Sequence, residues 1–159
     1  MSLSSPLLPI KRFLFAVISR VGIGIYSRAP IFGYLRAAVA VLRKGELLLV
    51  VERSDGRGFS FPGGLAFPWE TAERAMRREV LEETGLEIEK SCFLFEYRTS
   101  AEVPCNITVF EAEASGNLTE SWEGSPRWLS SAEIHHQLLP SQREIIDRIN
   151  YGTTRSPSL

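Results

Sequence analysis

Apolar residues recur along the chain with two different periods, which predict where its strands and its main helix lie. Residues 36–53 form two nearly continuous apolar runs on either side of Lys44 and Gly45, and this pattern predicts a β-hairpin whose strands are buried on both faces. Residues 71–84 instead have a helical pattern, with Thr71 as a candidate N-cap and Gly85 as the stop.

The remaining segments are shorter and surround these two elements. They are predicted to be a strand at 59–61 that ends at Pro62-Gly63-Gly64, strands at 92–100, 106–114 and 127–129, a short helix capped by Ser130 or Ser131, and a last helix from Ser141 to about Asn150. Strands and helices are mixed without regular βαβ alternation. The pattern therefore predicts an α+β fold with a mixed sheet.

The N-terminal segment, residues 1–33, combines basic residues with an apolar stripe at near-helical spacing. Arg20 interrupts the apolar run and no small-x-small cleavage site follows, so we expect neither a signal peptide nor a transmembrane span. We expect the segment to dock on the domain or on a partner subunit, which is compatible with a homodimer; a membrane-surface helix is the alternative. Residues 34–150 are expected to form one domain and residues 151–159 a flexible tail.

Composition narrows the class of protein without identifying it. The 159 residues are 44% hydrophobic and 23% charged, which is ordinary for a globular domain. The net charge of -1 gives no general attraction to polyanions, so no specific binding of nucleic acid is expected. Cys92 and Cys105 are too few for a disulfide framework, and we expect a cytoplasmic protein with reduced thiols.

Three carboxylates occupy the last turns of the predicted helix, where they are electrostatically unfavourable. Glu79, Glu82 and Glu83 lie at the negative end of the helix dipole, which disfavours each of them by a few tenths to about 1 kcal/mol. On a helical wheel they extend the apolar stripe of Ala72, Ala75 and Met76. A solvated acidic face would oppose that stripe, so these acids are expected at the edge of the core.

Such a group of acids needs more positive charge than Arg78 alone can supply. Carboxylate oxygens are the ligands that Mg²⁺ and Mn²⁺ prefer, and no histidine or cysteine lies nearby to indicate zinc. A hard divalent ion held in this way usually also binds substrate phosphates. The helix therefore indicates metal-assisted phosphate chemistry.

The stretch from Gly64 to Leu86, GLAFPWETAERAMRREVLEETGL, resembles the Nudix box, G-x5-E-x7-R-E-U-x-E-E-x-G-U, at every fixed position. The resemblance implies an αβα sandwich on a mixed sheet. It also implies a Mg²⁺-dependent hydrolase, with Mn²⁺ as a possible substitute, that cleaves the diphosphate linkage of a nucleoside diphosphate joined to another group. Such substrates include ADP-ribose, nucleotide sugars and oxidised or ordinary nucleoside triphosphates.

The resemblance also assigns roles within the box. It implies that Glu79, Glu82 and Glu83 ligate the metal and that the Gly64 backbone contacts metal or substrate. Glu70 and Arg78 match a pair that braces the loop against the helix. These five glutamate and arginine side chains are the predicted catalytic set.

Outside the fixed positions, several residues are candidates for substrate binding or proton transfer. The general base is expected to be Glu120 or Glu123, on the polar loop before Trp128, or Glu82 itself. Arg53 is a candidate phosphate clamp. The candidates for stacking on a base, each also a candidate core residue, are Phe59, Phe61, Phe67 and Trp69.

Two other interpretations remain open. A Nudix-like domain can serve as a sensor that binds a nucleotide or ADP-ribose without cleaving it, but such a domain has little reason to keep the complete acidic set. A metal-dependent isomerase on the same fold would need extra groups for protonation. His135 and His136 have no partnering ligands in the sequence and are expected to be surface residues.

Overall fold

The computed structural model describes residues 9–10 and 33–153 of the chain. The predicted docking of the N-terminal segment and most of the predicted tail lie outside these residues. The elements in order are β1 (Leu35–Lys44), β2 (Leu47–Arg53), β3 (Phe59–Ser60), β4 (Gly63–Leu65), α1 (Ala72–Thr84), β5 (Glu87–Thr99), β6 (Cys105–Ser115), β7 (Gly124–Ser130), α2 (Ser131–Ile134), a 3-10 helix (Pro140–Gln142) and α3 (Arg143–Thr153).

The strands form one mixed sheet, as the pattern predicted. Its order is β3-β2-β1-β6-β5, with β4 paired to β1 and β7 paired to β2. The β1–β6 pair is parallel, whereas the other pairs are antiparallel. The predicted hairpin is confirmed, but β1 and β2 pair only near the turn, at Arg43–Leu48 and Lys44–Leu47. Farther from the turn β1 pairs instead with β4, which carries Gly63 and Gly64.

Alternate residues of β1 enter two different cores because side chains alternate across a strand. Val39 and Val41 belong to one buried cluster, which also contains Ile145, Ile146 and Ile149 of α3. Ala38, Ala40 and Leu42 belong to a second buried cluster, which also contains Ala75, Met76 and Val80 of α1. Helices therefore pack on both faces of the sheet, and the fold is the αβα sandwich that the resemblance implied.

The structure corrects several predicted boundaries. β4 was not predicted, and β5 begins five residues earlier than expected. Of the two predicted caps, Ser130 caps α2, and it forms a capping box with Glu133. Ser141 does not cap the last helix, because it lies inside the 3-10 helix and its hydroxyl donates to Glu102 Oε2 at 2.5 Å. That last helix, α3, continues to Thr153, three residues beyond its predicted end.

No helix within the part of the chain that the structure describes is long and apolar enough to cross a bilayer.

Candidate active site

Helix α1 is defined by its caps and presents its acidic turns to the sheet. Thr71 Oγ1 accepts a hydrogen bond from the Arg74 N–H at 3.2 Å, and Gly85 ends the helix in the left-handed conformation with φ 76°. The helix packs through Ala75, Met76 and Val80. Because Glu83 continues the same face one turn after Val80, its side chain is carried into the protein and is only 3% exposed.

β4 lies directly beneath these carboxylates and begins with two glycines. The Gly63 N–H donates to Glu83 Oε2 at 2.9 Å. A Cβ added to Gly64 would lie 2.6 Å from Glu79 Cδ and 2.7 Å from its Oε1. The absence of a side chain at Gly64 therefore leaves the space that the Glu79 carboxylate occupies.

Arg78 connects the loop before the helix to the acidic turns. Its Nε donates to Glu70 Oε1 at 2.9 Å and its Nη2 donates to Glu70 Oε2 at 3.0 Å, which is a bidentate ion pair. The same guanidinium donates to Glu79 Oε1 at 2.8 Å and to the Leu65 carbonyl at 3.1 Å. Hydrogen bonds from Arg78 and from the Phe67 N–H lower the pKa of Glu70 to about 2, so it stays ionised. Loop and helix are thus joined as one unit.

A fourth carboxylate reaches the site from a distant part of the chain. Glu123 precedes β7, and its carboxylate lies close enough to that of Glu83 for the two charges to repel each other. The Ser121 hydroxyl accepts hydrogen bonds from the backbone N–H groups of Glu123 and Gly124, at 3.1 and 3.3 Å, and so shapes this turn. Gly124 allows the turn to approach β2, because a Cβ there would lie 2.3 Å from the Glu52 carbonyl oxygen.

The carboxylates in this cluster bind protons more tightly than ordinary ones. Burial raises the pKa of Glu83 well above 4.5, and repulsion from Glu123 and Glu79 adds to that effect. Burial and repulsion from Glu79 likewise raise the pKa of Glu123. Burial also raises the pKa of Glu79 against the opposing charge of Arg78. A cation bound among these carboxylates would offset their repulsion and lower these raised pKa values.

The other general-base candidates are placed differently. Glu120 is exposed, and its Oε1 accepts a hydrogen bond from the Ser125 hydroxyl at 3.0 Å. The Glu82 side chain is 56% exposed at the end of the acidic ridge formed by Glu79, Glu82 and Glu83, and its Oε2 lies 3.5 Å from Arg78 Nη1. The structure therefore brings Glu123, and not Glu120, close to Glu79 and Glu83 of α1.

Arg53 lies beside the acidic cluster, where its positive charge acts to lower the pKa of both Glu83 and Glu123. Its side chain is 12% exposed and its Nη2 donates to Asp55 Oδ2 at 2.6 Å. Asp55 also holds Arg57, with 2.8 Å between Arg57 Nη2 and Asp55 Oδ2. Sequence reasoning missed both Asp55 and Arg57. The signal that could have found them is an acid between two arginines in the stretch RSDGR, residues 53–57.

The aromatic candidates divide into core and surface. Phe61 is completely buried and Phe59 is 9% exposed, so neither ring is available for stacking on a ligand. This corrects the prediction for Phe61, whose N–H donates to Gln142 Oε1 at 2.7 Å beneath the 3-10 helix. Phe67 and Trp69 are 46% and 78% exposed, and their rings stack on each other with centroids 5.2 Å apart. Arg78 lies over the Phe67 ring at 4.6 Å.

The two late histidines lie at the surface. His135 Nε2 is 3.1 Å from Asp147 Oδ1, and the His135 side chain is 39% exposed. His136 packs edge-on against the His135 ring, with the two centroids 4.9 Å apart. Both histidines are thus surface residues, as the sequence predicted.

The chemistry of the acidic cluster fits a hard divalent cation. Its donors are all carboxylate oxygens, and burial and mutual repulsion leave them with raised pKa values that a cation would relieve. Across residues 9–10 and 33–153, no three acidic, histidine or cysteine side chains converge on one ion position as they stand. Glu79 accepts a hydrogen bond from Arg78 and Glu83 accepts one from the Gly63 N–H.

Comparison with known proteins identifies the class to which this sandwich fold and its acidic helix belong. The family model described as NUDIX domain matches residues 33–149, so the chain belongs to the Nudix family.

Individual relatives agree with this assignment. A Bacillus subtilis protein named "Putative 8-oxo-dGTP diphosphatase" is 30% identical over 122 residues, which are 73% of this chain and 79% of the relative. A "MutT-like protein" of Streptomyces ambofaciens is 29% identical over 114 residues, or 70% and 73% of the two chains. The structure of a Nudix hydrolase from Nitrosomonas europaea superposes with a TM-score of 0.65 at 20% identity, covering 78% of this chain and 93% of that one. At that identity the superposition shows the fold alone.

Proposed function

We propose that the protein hydrolyses the diphosphate linkage of a nucleoside diphosphate derivative in the presence of Mg²⁺ or Mn²⁺. The observation that carries this proposal is the acidic cluster of the buried Glu83 and the half-buried Glu79 and Glu123, which lies against the glycines of β4. Such a cluster is costly to a fold unless positive charge compensates it. Together with the exposed Glu82, it has the oxygen-only donors that a divalent cation prefers.

The residues that would hold the cation are Glu79, Glu82 and Glu83, with the Gly64 backbone facing the same space. When bound, a divalent cation neutralises phosphate charge and lowers the pKa of a water molecule. Arg78 would hold Glu79 and the loop before the helix in fixed positions, since it donates hydrogen bonds to Glu70, Glu79 and the Leu65 carbonyl at once.

We propose Glu123 as the general base that accepts a proton from the attacking water. Burial and repulsion from Glu79 raise its pKa, which makes this carboxylate a stronger base than an ordinary glutamate. The Ser121 turn and the short approach at Gly124 hold it in place. Arg53 would bind a phosphate oxygen beside it.

The substrate class follows from the linkage that is cut. A nucleoside diphosphate joined to another group would yield a nucleoside monophosphate and a phosphorylated product, and a nucleoside triphosphate would yield pyrophosphate. Because the Bacillus subtilis relative is named for 8-oxo-dGTP, oxidised purine nucleoside triphosphates are the first substrates to test, followed by ADP-ribose and nucleotide sugars.

The experiment is a substrate panel with Mg²⁺ or Mn²⁺, with products separated by chromatography. Glu82→Gln is the inactive comparison, because this side chain is exposed and its substitution should leave the fold intact. Glu113→Gln, which removes an exposed acid that pairs with Lys90, is the matched control and should keep full activity. Absence of turnover above the Glu82→Gln level with every substrate would contradict the proposal. Tight nucleotide binding without turnover would favour the sensor alternative.

A further inference from the structure

Two aromatic side chains on the loop before helix α1 face solvent. Trp69 is 78% exposed and Phe67 is 46% exposed, and their rings stack with centroids 5.2 Å apart at an interplanar angle of 10°. Phe67 covers one face of the indole, so the exposure of Trp69 leaves the other face open to solvent. Single apolar side chains are common on protein surfaces, but contiguous exposed apolar groups mark places where a ligand or a partner binds.

A turn closed by two hydrogen bonds fixes the two rings relative to each other. The Glu70 N–H donates to the Phe67 carbonyl at 3.0 Å, and the Phe67 N–H donates to Glu70 Oε2 at 2.9 Å. Pro68 occupies the second position of this turn, where its fixed φ is favourable. Because the turn already orders Phe67 and Trp69, a ligand that stacks on them loses less side-chain entropy on binding.

Arg78 connects the aromatic pair to the acidic cluster. Its Cζ lies 4.6 Å from the centroid of the Phe67 ring, and its Nη1 donates to Glu79 Oε1 at 2.8 Å. The turn is attached to the same guanidinium, because Glu70 accepts from Arg78 Nε and Nη2 at 2.9 and 3.0 Å. The aromatic pair is therefore held beside Glu79, one of the carboxylates proposed to bind the cation.

The charges around the turn favour an uncharged planar group over an anion. The arginines near the turn are Arg36, Arg74 and Arg78, and the acids that oppose them are Glu70, Glu79 and Glu82. Positive charge at this loop is thus matched by nearby carboxylates, and the exposed rings add an apolar face. A nucleobase is a planar group of the kind that stacks on aromatic side chains.

We propose that the Phe67–Trp69 pair binds the nucleobase of the substrate, which stacks on the open face of the Trp69 indole. This inference rests on the proposed function, because it assumes a nucleotide whose diphosphate is held at the acidic cluster. The ribose, which separates base from phosphate, then lies beside Arg78. Every base has a π face, so stacking at this pair selects nucleotides over diphosphates that lack a base without choosing among the bases.

The test compares two probes whose diphosphate linkage cannot be hydrolysed, by calorimetry on the full chain with Mg²⁺ present. Methylenediphosphonate has no base, whereas adenosine 5′-(α,β-methylene)diphosphate carries the same group and a purine. Trp69→Ala should raise Kd for the nucleotide probe by about 10-fold or more and leave Kd for methylenediphosphonate unchanged, because it removes base stacking alone. Trp69→Phe should keep most of the affinity, since it keeps a ring, and Trp69→Leu should behave like Trp69→Ala.

Kinetics and a matched control separate stacking from a general effect on the protein. Trp69→Ala should raise KM for a hydrolysed nucleotide more than it lowers kcat, because Trp69 touches the base and not the reacting atoms. The matched control is Phe93→Ala, which removes another exposed ring, on β5, that packs edge-on against Phe110. This variant should leave Kd unchanged for both probes.

Several results would overturn the inference. If Trp69→Ala binds the nucleotide probe as tightly as wild type while wild type hydrolyses a diphosphate substrate, the inference fails and the proposed function stands. Equal weakening of both probes also overturns it, since stacking acts only on the probe that carries a base. A wild-type dimer that Trp69→Ala converts to a monomer with unchanged nucleotide Kd would make the pair a contact between copies of the chain. A wild-type protein that binds neither probe and hydrolyses no diphosphate overturns both proposals.

Discussion

Replacing Gly64 with alanine should abolish most of the activity while leaving the fold intact. The added Cβ would lie 2.6 Å from Glu79 Cδ, about 0.8 Å inside the 3.4 Å at which ordinary contacts begin. The Glu79 carboxylate must therefore move, because the Gly64 backbone is fixed by its pairing with Ala38. A misplacement of roughly 1 Å in a catalytic group costs on the order of 10²-fold in rate, which is about 2.7 kcal/mol.

Stability should change much less than activity. The atoms that must yield are the end of a flexible side chain, and Gly64 is not in the left-handed region that disfavours alanine. Replacing glycine also reduces the entropy of the unfolded chain, so we expect the free energy of unfolding to stay within about 1 kcal/mol of wild type. Gly63→Ala is the contrasting variant and should destabilise the fold, because its Cβ would lie 2.2 Å from the Ala38 carbonyl oxygen at φ 147°.

The assay combines kcat/KM on the best substrate of the panel, thermal unfolding, and a double-mutant cycle with Glu79→Gln. If the clash with Glu79 is the cause, Gly64→Ala should add little further loss in the Glu79→Gln background, because residues in contact are not additive. Fully additive losses would show that Gly64 acts through another contact. Wild-type activity in Gly64→Ala would refute the assigned role of the Glu79 carboxylate.

Three further predictions concern the acidic cluster. Mg²⁺ at about 100 times its Kd should stabilise the folded protein by roughly 2.7 kcal/mol. Glu83→Gln should remove most of the resulting rise in melting temperature. An equal rise in wild type and in this variant would contradict the assignment of Glu83 as a metal ligand. In EDTA, the free energy of unfolding should fall as pH rises above about 4.5, because Glu83 and Glu123 bind a proton more tightly in the folded protein than in the unfolded chain. Mg²⁺ should reduce this fall. A free energy of unfolding that does not change with pH would contradict the raised pKa values. Glu123→Gln should lower kcat by about 10²-fold or more, whereas Glu120→Gln should keep near-normal kcat in the same assay; equal effects would contradict the choice of base.

The sequence predicted well those features that depend on residues close together in the chain. The hairpin and helix α1 follow from the spacing of apolar residues, and the caps of α1 at Thr71 and Gly85 follow from hydrogen bonds between residues a few positions apart. The acidic face was recognisable because the wheel placed Glu83 on the same side as Ala75. These predictions required no knowledge of what the helix packs against.

Other distinctions needed the fold, because they separate residues that look alike in the sequence. Phe61 and Phe67 are six residues apart, yet one is covered by Gln142 of the 3-10 helix and the other is exposed on a loop. Glu120 and Glu123 lie on the same polar loop, and only the turn at Ser121 decides which of them meets Glu83.

The sequence by itself determined the helix, its acidic ridge and the family, since each depends on residue types at fixed short spacings. The tertiary structure alone decided that Glu123 joins the ridge, that Gly64 lies beneath Glu79 and that Asp55 is buried between two arginines. Each of these contacts depends on how a loop bends and on which strand it approaches. Loop conformation is set by packing between segments far apart in the chain, and no local spacing encodes that packing.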